Sequence, residues 1–239
     1  MDIYNGDGSR AEMCGNGIRA FARHLWDSGR FERAPLRVET LAGIRTCTPT
    51  DSEDRVRVDM GVPAFGLSAV GANLAHFPDE SHAPLHNLVR GDWPMADVEA
   101  AHAVSMGNPH LVLFLPTRTD LNALPIESIG PLIERDPAFP SRINVEFVVL
   151  QDQTLHTRVW ERGAGATQAC GTGACAVAAA AIATGRAASP VTVQLPGGPL
   201  DIDWDGADIL WMTGEAVHVF SGTLEPAAYT VWQERDNAT

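Results

Sequence analysis

Cys14 and Cys170 each open a Cys-Gly-x-Gly sequence that leads into a helical pattern. The free N–H groups and the dipole of a helix N-terminus favour a thiolate, so we expect this position to lower the pKa of either thiol. A thiolate removes a proton from carbon, and a thiol returns one. Placed on opposite faces of one carbon, the two groups would invert its configuration reversibly.

The two cysteines belong to an internal repeat. Residues 4–17 align with residues 160–173 without a gap, and each copy starts with an aromatic residue followed by a polar one. Two copies of one unit predict two matching half-domains. If the halves pack about a pseudo-twofold axis, the helix starts face each other and present Cys14 and Cys170 to opposite sides of a shared cleft.

Glycines on both sides of this predicted cleft leave the backbone accessible to a ligand. Gly15 and Gly17 follow the first cysteine, and Gly171 and Gly173 follow the second. Because they lack a Cβ, these residues let backbone N–H groups approach and bind a carboxylate. A bound carboxylate also helps to acidify the carbon beside it.

The elements that position the cysteines are two helices within a strand-rich chain. Apolar residues recur with helical spacing between Cys14 and Gly29. A second helix, apolar on nearly all sides and therefore buried, is predicted from Gly171 to Gly185. Alternating or β-branched segments predict strands at 36–41, 55–60, 111–115, 145–150, 154–160, 191–195 and 217–220.

These elements predict an α+β fold of two pseudo-symmetric half-domains, each a mixed, strand-rich sheet or barrel wrapped around a central helix. Residues 1–62 form the first half-domain, which a returning strand at 217–224 completes, and residues 63–216 form the second. Residues 64–95, with their Gly, Pro, Asn and His, indicate a long connection. Residues 225–239 are expected to form a loosely ordered tail.

Composition limits the classes of function. Thirty acidic against seventeen basic residues give a net charge of −13, which argues against a nucleic-acid partner. Neither a run of roughly 20 apolar residues nor a signal-peptide pattern is present, so we expect a cytoplasmic protein without membrane contact. Four cysteines without paired Cys-x₂-Cys spacing predict reduced thiols and no metal site. Cys47 and Cys175 are interpreted as packing residues.

Lysine is absent, and all seventeen basic residues are arginine. No lysine amine exists to form a Schiff base with pyridoxal phosphate or a carbonyl substrate, or to bind phosphates in a nucleotide-binding loop. Amino-acid chemistry at the two thiols must therefore proceed without pyridoxal phosphate, and no cofactor is predicted.

Taken together, the motifs resemble those of the diaminopimelate epimerase family over residues 4–224. Besides the two cysteine motifs, the match comprises the sequences Asn5-Gly-Asp-Gly-Ser, Glu161-Arg-Gly-Ala-Gly, Met106-Gly-Asn-Pro-His, Arg142-Ile-Asn-Val-Glu-Phe and Met212-Thr-Gly. The resemblance implies an isomerase that interconverts LL- and meso-2,6-diaminopimelate by a two-base thiol/thiolate mechanism. This reaction serves lysine and cell-wall precursor biosynthesis.

The resemblance also implies roles for individual residues. Cys14 and Cys170 would be the acid/base pair, with His110 and Glu161 beside the thiols and influencing their protonation. The residues that hold the reacting α-carboxylate would be Gly15, Asn16, Gly171 and Thr172. The residues that recognise the amino groups and the distal carboxylate would be Asn5, Asn108, Asn144, Glu161 and Arg162. A substrate with two carboxylates and two ammonium groups requires such an arginine fork and such acceptors.

Complete members of the family carry a further segment ahead of the position of Asn5, whereas Met1 lies almost at this motif. The resemblance therefore implies a first half-domain that lacks strands and substrate-contacting polar residues. We expect residues 1–239 alone to be poorly stable and weakly active. An inactive truncated form, or a noncatalytic binding protein, is accordingly a rival hypothesis.

A pair of cysteines also fits two different chemistries. A proline or hydroxyproline racemase of the same architecture opposes two thiols, but that family has His at the position of Asn16. The Glu161-Arg162 pair suits a longer, doubly charged substrate. Redox enzymes use Cys-x-x-Cys spacing at one helix, which these cysteines lack. A small molecule is thus the predicted partner, and a homodimer is left open.

Taken singly, three of the site residues fit ordinary structural roles. His110 is compatible with a core histidine whose ring nitrogens are hydrogen-bonded. Asn108 is compatible with a turn residue before Pro109, and Arg162 with a charge exposed to solvent.

Overall fold

The structure is a computed structural model that describes residues 1–4, 8, 10, 13–77, 87–88, 95 and 97–223. The predicted site residue Asn5, much of the predicted connection at 64–95 and the predicted tail at 225–239 lie outside the described residues. Within these described ranges, every helix is too short or too polar to cross a membrane.

One mixed sheet of twelve strands dominates the described part of the chain. Its strands are β1 Leu36–Thr40, β2 Gly43–Pro49, β3 Arg55–Asp59, β4 Ala64–Phe65, β5 Ala100–Ser105, β6 Pro109–Leu115, β7 Asn144–Gln151, β8 Thr154–Glu161, β9 Gly165–Thr167, β10 Val191–Leu195, β11 Gly198–Asp203 and β12 Trp211–Glu215. Their order is β1-β2-β3-β12-β11-β10-β8-β7-β6-β5-β4, with β9 paired to β8. The β6–β7 and β8–β10 pairs are parallel, and the other pairs are antiparallel.

Two of the three α-helices in the described residues begin directly after the cysteines. Helix α1, Gly15–Asp27, buries Ile18, Ala22 and Leu25 on one face, as its periodicity predicts. Helix α3, Gly171–Ala183, is buried along residues 171–181. Because nearly all its side chains are small, α3 packs closely against β5 to β8, β10 and β11. The buried second helix predicted from the sequence is confirmed.

Helices α1 and α3 share one apolar core. Ile18 and Ala22 of the first helix and Ala174 and Ala178 of the second belong to the same cluster of buried side chains. This common core fixes the two helix starts relative to each other. A second apolar cluster lies around helix α2, Ile126–Glu134, against the strands β5 to β7.

The α+β class and six of the predicted strands are confirmed, but the strand predicted at 217–220 and extended to 224 is wrong. Residues 217–223 form no strand. Strand β3 is already hydrogen-bonded on both sides, to β2 and to β12, so these residues cannot pair with it. Val219 and Phe220 are 84% and 81% exposed. The division into half-domains at 62/63 stays a prediction.

Helix α2 is absent from the sequence-based predictions for a local reason. Gly130 and Pro131 interrupt its pattern, and both residues disfavour a helix interior. The glycine is required by packing, because a Cβ there would lie 2.4 Å from the Trp160 ring. Tertiary contact thus outweighs local propensity at this position.

Candidate active site

Cys14 and Cys170 are the N-cap residues of α1 and α3. Their backbones are extended, with φ/ψ of −134°/106° and −127°/112°. The Gly17 N–H donates to Cys14 Sγ at 3.3 Å, and the Gly173 N–H donates to Cys170 Sγ at 3.3 Å. The two halves of the sequence repeat therefore fold into the same local structure, with a sulfur atom taking the place of the usual capping oxygen.

The two helix starts meet at Gly15 and Gly171. A Cβ built on Gly15 would lie 3.3 Å from the Cα of Gly171, and one built on Gly171 would lie 3.2 Å from the Cα of Gly15. The Met212 side chain packs against both glycines. Both positive helix ends thus point to one place, which suits the binding of a carboxylate.

A cleft of about 300 Å³ opens at this meeting point and is lined by residues of both helix starts. His110 is not among the lining residues, and Asn5 lies outside the described residues. The predicted site residues that line the cleft are Cys14, Gly15, Asn16, Asn108, Asn144, Glu161, Arg162, Cys170, Gly171 and Thr172.

The two thiols differ in their surroundings. Cys170 is buried, whereas Cys14 is half-buried. Burial raises the pKa of the Cys170 thiol well above its ordinary value, and the Glu161 carboxylate acts in the same direction. The expectation that the helix N-terminus lowers the pKa of this thiol is therefore wrong, because desolvation outweighs the hydrogen bond from Gly173.

His110 makes its two side-chain hydrogen bonds to Glu146 and Asn108, and its expected place beside a thiol stays a prediction. Its ring is fully buried. Nδ1 faces Glu146 Oε1 at 2.6 Å, and Nε2 faces Asn108 Oδ1 at 2.9 Å. The route from His110 to Cys170 passes through Asn108 and Thr172, and Thr172 Oγ1 lies 3.5 Å from Cys170 Sγ.

Asn144, Glu161 and Arg162 form the wall of the cleft beside Cys170. The Asn144 side chain donates to the Pro109 carbonyl at 2.8 Å and accepts from the Arg162 N–H at 2.9 Å. Glu161 Oε1 accepts from the Thr167 hydroxyl at 2.5 Å. Asn144 therefore joins two segments of this wall. Glu161 and Arg162 line the same wall, and Arg162 Nη1 donates to the Ser141 carbonyl at 3.3 Å.

Arg19 is a site-supporting residue that the sequence analysis missed. It is only 7% exposed, and it donates to the Gly15 carbonyl at 3.1 Å, to Asn16 Oδ1 at 3.0 Å and to the Glu215 carbonyl at 3.2 Å. Burial lowers the pKa of its guanidinium. If the alignment of the two repeat copies is extended by two residues, Arg19 falls opposite Cys175. A charged residue in one copy opposite an uncharged one in the other is the sequence signal that could have identified Arg19.

Glu146 is a second buried residue near the site that the sequence analysis does not assign a role. It belongs to the motif at 142–147, and its signal is a carboxylate between Val145 and Phe147 in an otherwise apolar strand. Burial raises the pKa of the Glu146 carboxyl. A Cβ on Gly173 would lie 2.8 Å from Glu146 Oε1, so this carboxyl packs against the first turn of α3.

Comparison with known proteins connects this geometry to a family. The model of the family described as diaminopimelate epimerase matches residues 1–66 and 102–219. A diaminopimelate epimerase from Synechococcus sp. (strain JA-2-3B'a(2-13)) is 49% identical over 227 residues, which cover 93% of this chain and 77% of that protein. Another from Desulfitobacterium hafniense is 46% identical over 235 residues, which cover 94% and 77%.

Solved structures share the fold at low sequence identity. A phenazine biosynthesis protein of the PhzC/PhzF type from Clostridium difficile gives a TM-score of 0.62 at 13% identity, covering 91% of this chain and 75% of that chain. A predicted epimerase from Pseudomonas aeruginosa gives 0.57 at 16% identity, covering 90% and 74%. At these identities the likeness concerns the fold alone.

Proposed function

The chain belongs to the diaminopimelate epimerase family and is an isomerase, and we propose that it interconverts LL- and meso-2,6-diaminopimelate through Cys14 and Cys170. One observation carries this proposal. The starts of α1 and α3 meet at Gly15 and Gly171 and present both cysteines to a single cleft. No lysine exists for a pyridoxal Schiff base, so the thiols supply the proton transfers.

In this mechanism the substrate α-carboxylate binds to backbone N–H groups at the two helix N-termini. The positive ends of both helices also stabilise negative charge that spreads from the α-carbon into the carboxylate. The Cys14 thiolate removes the α-proton from one face, and the Cys170 thiol gives its proton to the other. After turnover Cys14 is the thiol and Cys170 the thiolate, and the reverse reaction exchanges their roles.

Recognition of the distal end of the substrate is assigned to the wall of the cleft beside Cys170. Arg162 offers a planar fork that matches a carboxylate, and Glu161 offers acceptor oxygens to an ammonium group. Asn108 and Asn144 supply further amide groups along the same wall. This polar set favours a substrate with charges at both ends over proline, which has one carboxylate. The cytoplasmic location and the homodimer stay predictions.

The test is an assay of the reduced protein with LL-diaminopimelate in the absence of pyridoxal phosphate, with the isomers separated by chiral chromatography. We expect formation of the meso isomer. Cys14→Ser and Cys170→Ser keep an oxygen that caps the helix, so they isolate the loss of the thiol. Each should lower the rate by about 10³-fold or more.

Two other variants are matched controls for the loss of a cysteine. Cys47→Ala and Cys175→Ala remove buried thiols that lie outside the cleft lining, and the rate should stay within about twofold. A serine variant of either cleft cysteine that turns over at the wild-type rate would overturn the proposal. Racemisation of proline at a rate equal to that of diaminopimelate would support the racemase instead.

A further inference from the structure

Glu146 and His110 form a buried pair behind the cleft. Both side chains are fully buried, and Glu146 Oε1 lies 2.6 Å from His110 Nδ1. Neither residue lines the cleft. The pair therefore has no direct contact with a molecule bound between the cysteines. The charge of an ionised Glu146 would act directly on the Cys170 thiol and raise its pKa, and hydrogen bonds connect the pair to Cys170 through other residues.

Hydrogen bonding fixes the direction of the route from this pair to Cys170. The Asn108 Nδ2 group donates to Thr172 Oγ1 at 3.2 Å, so Asn108 Oδ1 accepts from His110 Nε2–H at 2.9 Å. Because Thr172 Oγ1 already accepts from Asn108, its own proton is free to be donated to Cys170 Sγ at 3.5 Å. Every link in this chain has one donor and one acceptor.

The pair holds one shared proton. With Nε2 protonated, the short contact between His110 Nδ1 and Glu146 Oε1 requires a proton on one of these two atoms. Glu146 Oε2 has no hydrogen-bond partner among the described residues, and burial raises the pKa of the carboxyl. The pair is thus neutral as a whole, and replacing Glu146 by glutamine leaves the net charge near Cys170 unchanged.

We propose that Glu146 is a positioning residue for proton transfer at Cys170, acting through His110, Asn108 and Thr172. Because the pair shares one proton, Glu146 holds His110 in the form that donates from Nε2, which orients the Asn108 amide and directs the Thr172 hydroxyl toward Cys170 Sγ. That hydrogen bond orients the sulfur atom and stabilises it whenever it carries negative charge. Glutamine at position 146 both donates and accepts, so it no longer specifies the tautomer of His110. The inference rests on the proposed epimerase activity.

A double-mutant cycle of Glu146→Gln and Thr172→Val tests this route. Valine removes the Thr172 hydroxyl and keeps the backbone N–H. Each single variant should lower kcat about tenfold. The kcat of the double variant should lie within about twofold of the kcat of the less active single variant. The KM of Glu146→Gln should change less than about twofold, because Glu146 does not touch the substrate. Additive losses of kcat would overturn the inference.

Asp59→Asn is the matched control for the exchange of a buried carboxyl for an amide. Asp59 is 9% exposed, accepts from the Gly61 N–H at 2.8 Å and lies outside the cleft lining. Any effect of Asp59→Asn on kcat should simply add to that of Thr172→Val. If Glu146→Gln does not fold, His110→Gln takes its place in the same cycle and should show the same non-additivity.

A second measurement requires no turnover. The rate of Cys170 alkylation by iodoacetamide, followed by mass spectrometry of the peptide, should show the same non-additivity, while Cys14 alkylation stays constant. An inactive wild type with a coupled alkylation cycle would reject the proposed function and keep the positioning role. An active wild type with additive alkylation effects would reject the positioning role alone.

Discussion

Gly15 and Gly171 touch backbone to backbone across the junction of the two helices. A Cβ on either residue would lie 3.2–3.3 Å from the Cα of the other. This contact brings both helix N-termini to the same place and sets the separation of Cys14 and Cys170. A substrate carbon between the thiols depends on that separation, because proton transfer requires short, aligned contacts.

Gly15→Ala and Gly171→Ala should therefore impair catalysis more than folding. The new Cβ meets a backbone atom that cannot rotate away, so the helix starts must separate. We expect kcat/KM to fall about 10- to 100-fold and the free energy of unfolding to fall by about 1–3 kcal/mol. Steady-state kinetics and urea unfolding measure both. Ala20→Ser adds one atom at an exposed position of α1 and should change neither. Wild-type kcat/KM in both alanine variants would show that the contact does not set the geometry.

Alkaline pH should destabilise the fold through its buried thiols. Burial raises the pKa of Cys47 to about 12 and raises the pKa values of Cys170 and Cys175 above their ordinary range. Above about pH 8.5 the unfolded chain loses these protons and the folded chain keeps them. The native state then binds more protons, so the free energy of unfolding falls as pH rises, by about 1.4 kcal/mol per pH unit for each thiol.

Urea unfolding between about pH 8 and pH 10.5 measures this slope. Cys47→Ala and Cys175→Ala should each flatten it by the contribution of one proton. An unchanged slope in both variants would mean that these thiols ionise equally in the folded and unfolded chains.

Arg162 should determine affinity for the doubly charged substrate. Arg162→Gln removes the cation and the fork, and Arg162→Lys keeps the charge alone. We expect KM for diaminopimelate to rise about tenfold or more in the glutamine variant and less in the lysine variant, with smaller changes in kcat. Arg118→Gln, which breaks an exposed ion pair with Asp97, is the control and should leave KM unchanged. An unaltered KM in Arg162→Gln would mean that residues other than Arg162 recognise the distal carboxylate.

The sequence predicts the positions of the thiols well because the repeat encodes local structure. Cys-Gly-x-Gly before an apolar helix specifies a capped N-terminus at Cys14 and Cys170 without reference to the remaining chain. The strands whose apolar and polar residues alternate regularly are also predicted, because this alternation is a local pattern in the sequence. Helix α2 is missed because the packing of Gly130 on Trp160 is a tertiary contact.

The protonation of the site and its supporting residues depends on contacts that sequence spacing does not reveal. The raised pKa of Cys170 results from burial by distant strands, which opposes the local effect of the helix. The contact between His110 and Glu146 requires the parallel register of β6 and β7, in which His110 pairs with Asn144. A residue two positions along β7 then shares a face with His110, since side chains alternate along a strand.

Deuterium incorporation tests the central claim of a two-base reaction at Cys14 and Cys170 most directly. LL-diaminopimelate is incubated with the protein in deuterated water, and both isomers are analysed by mass spectrometry at low conversion. We predict one deuterium at the inverted carbon of the meso product and almost none in the recovered LL isomer. The deuterated meso product should not form in Cys14→Ser or Cys170→Ser. Equal deuterium in product and recovered substrate, or conversion without deuterium, would contradict the account.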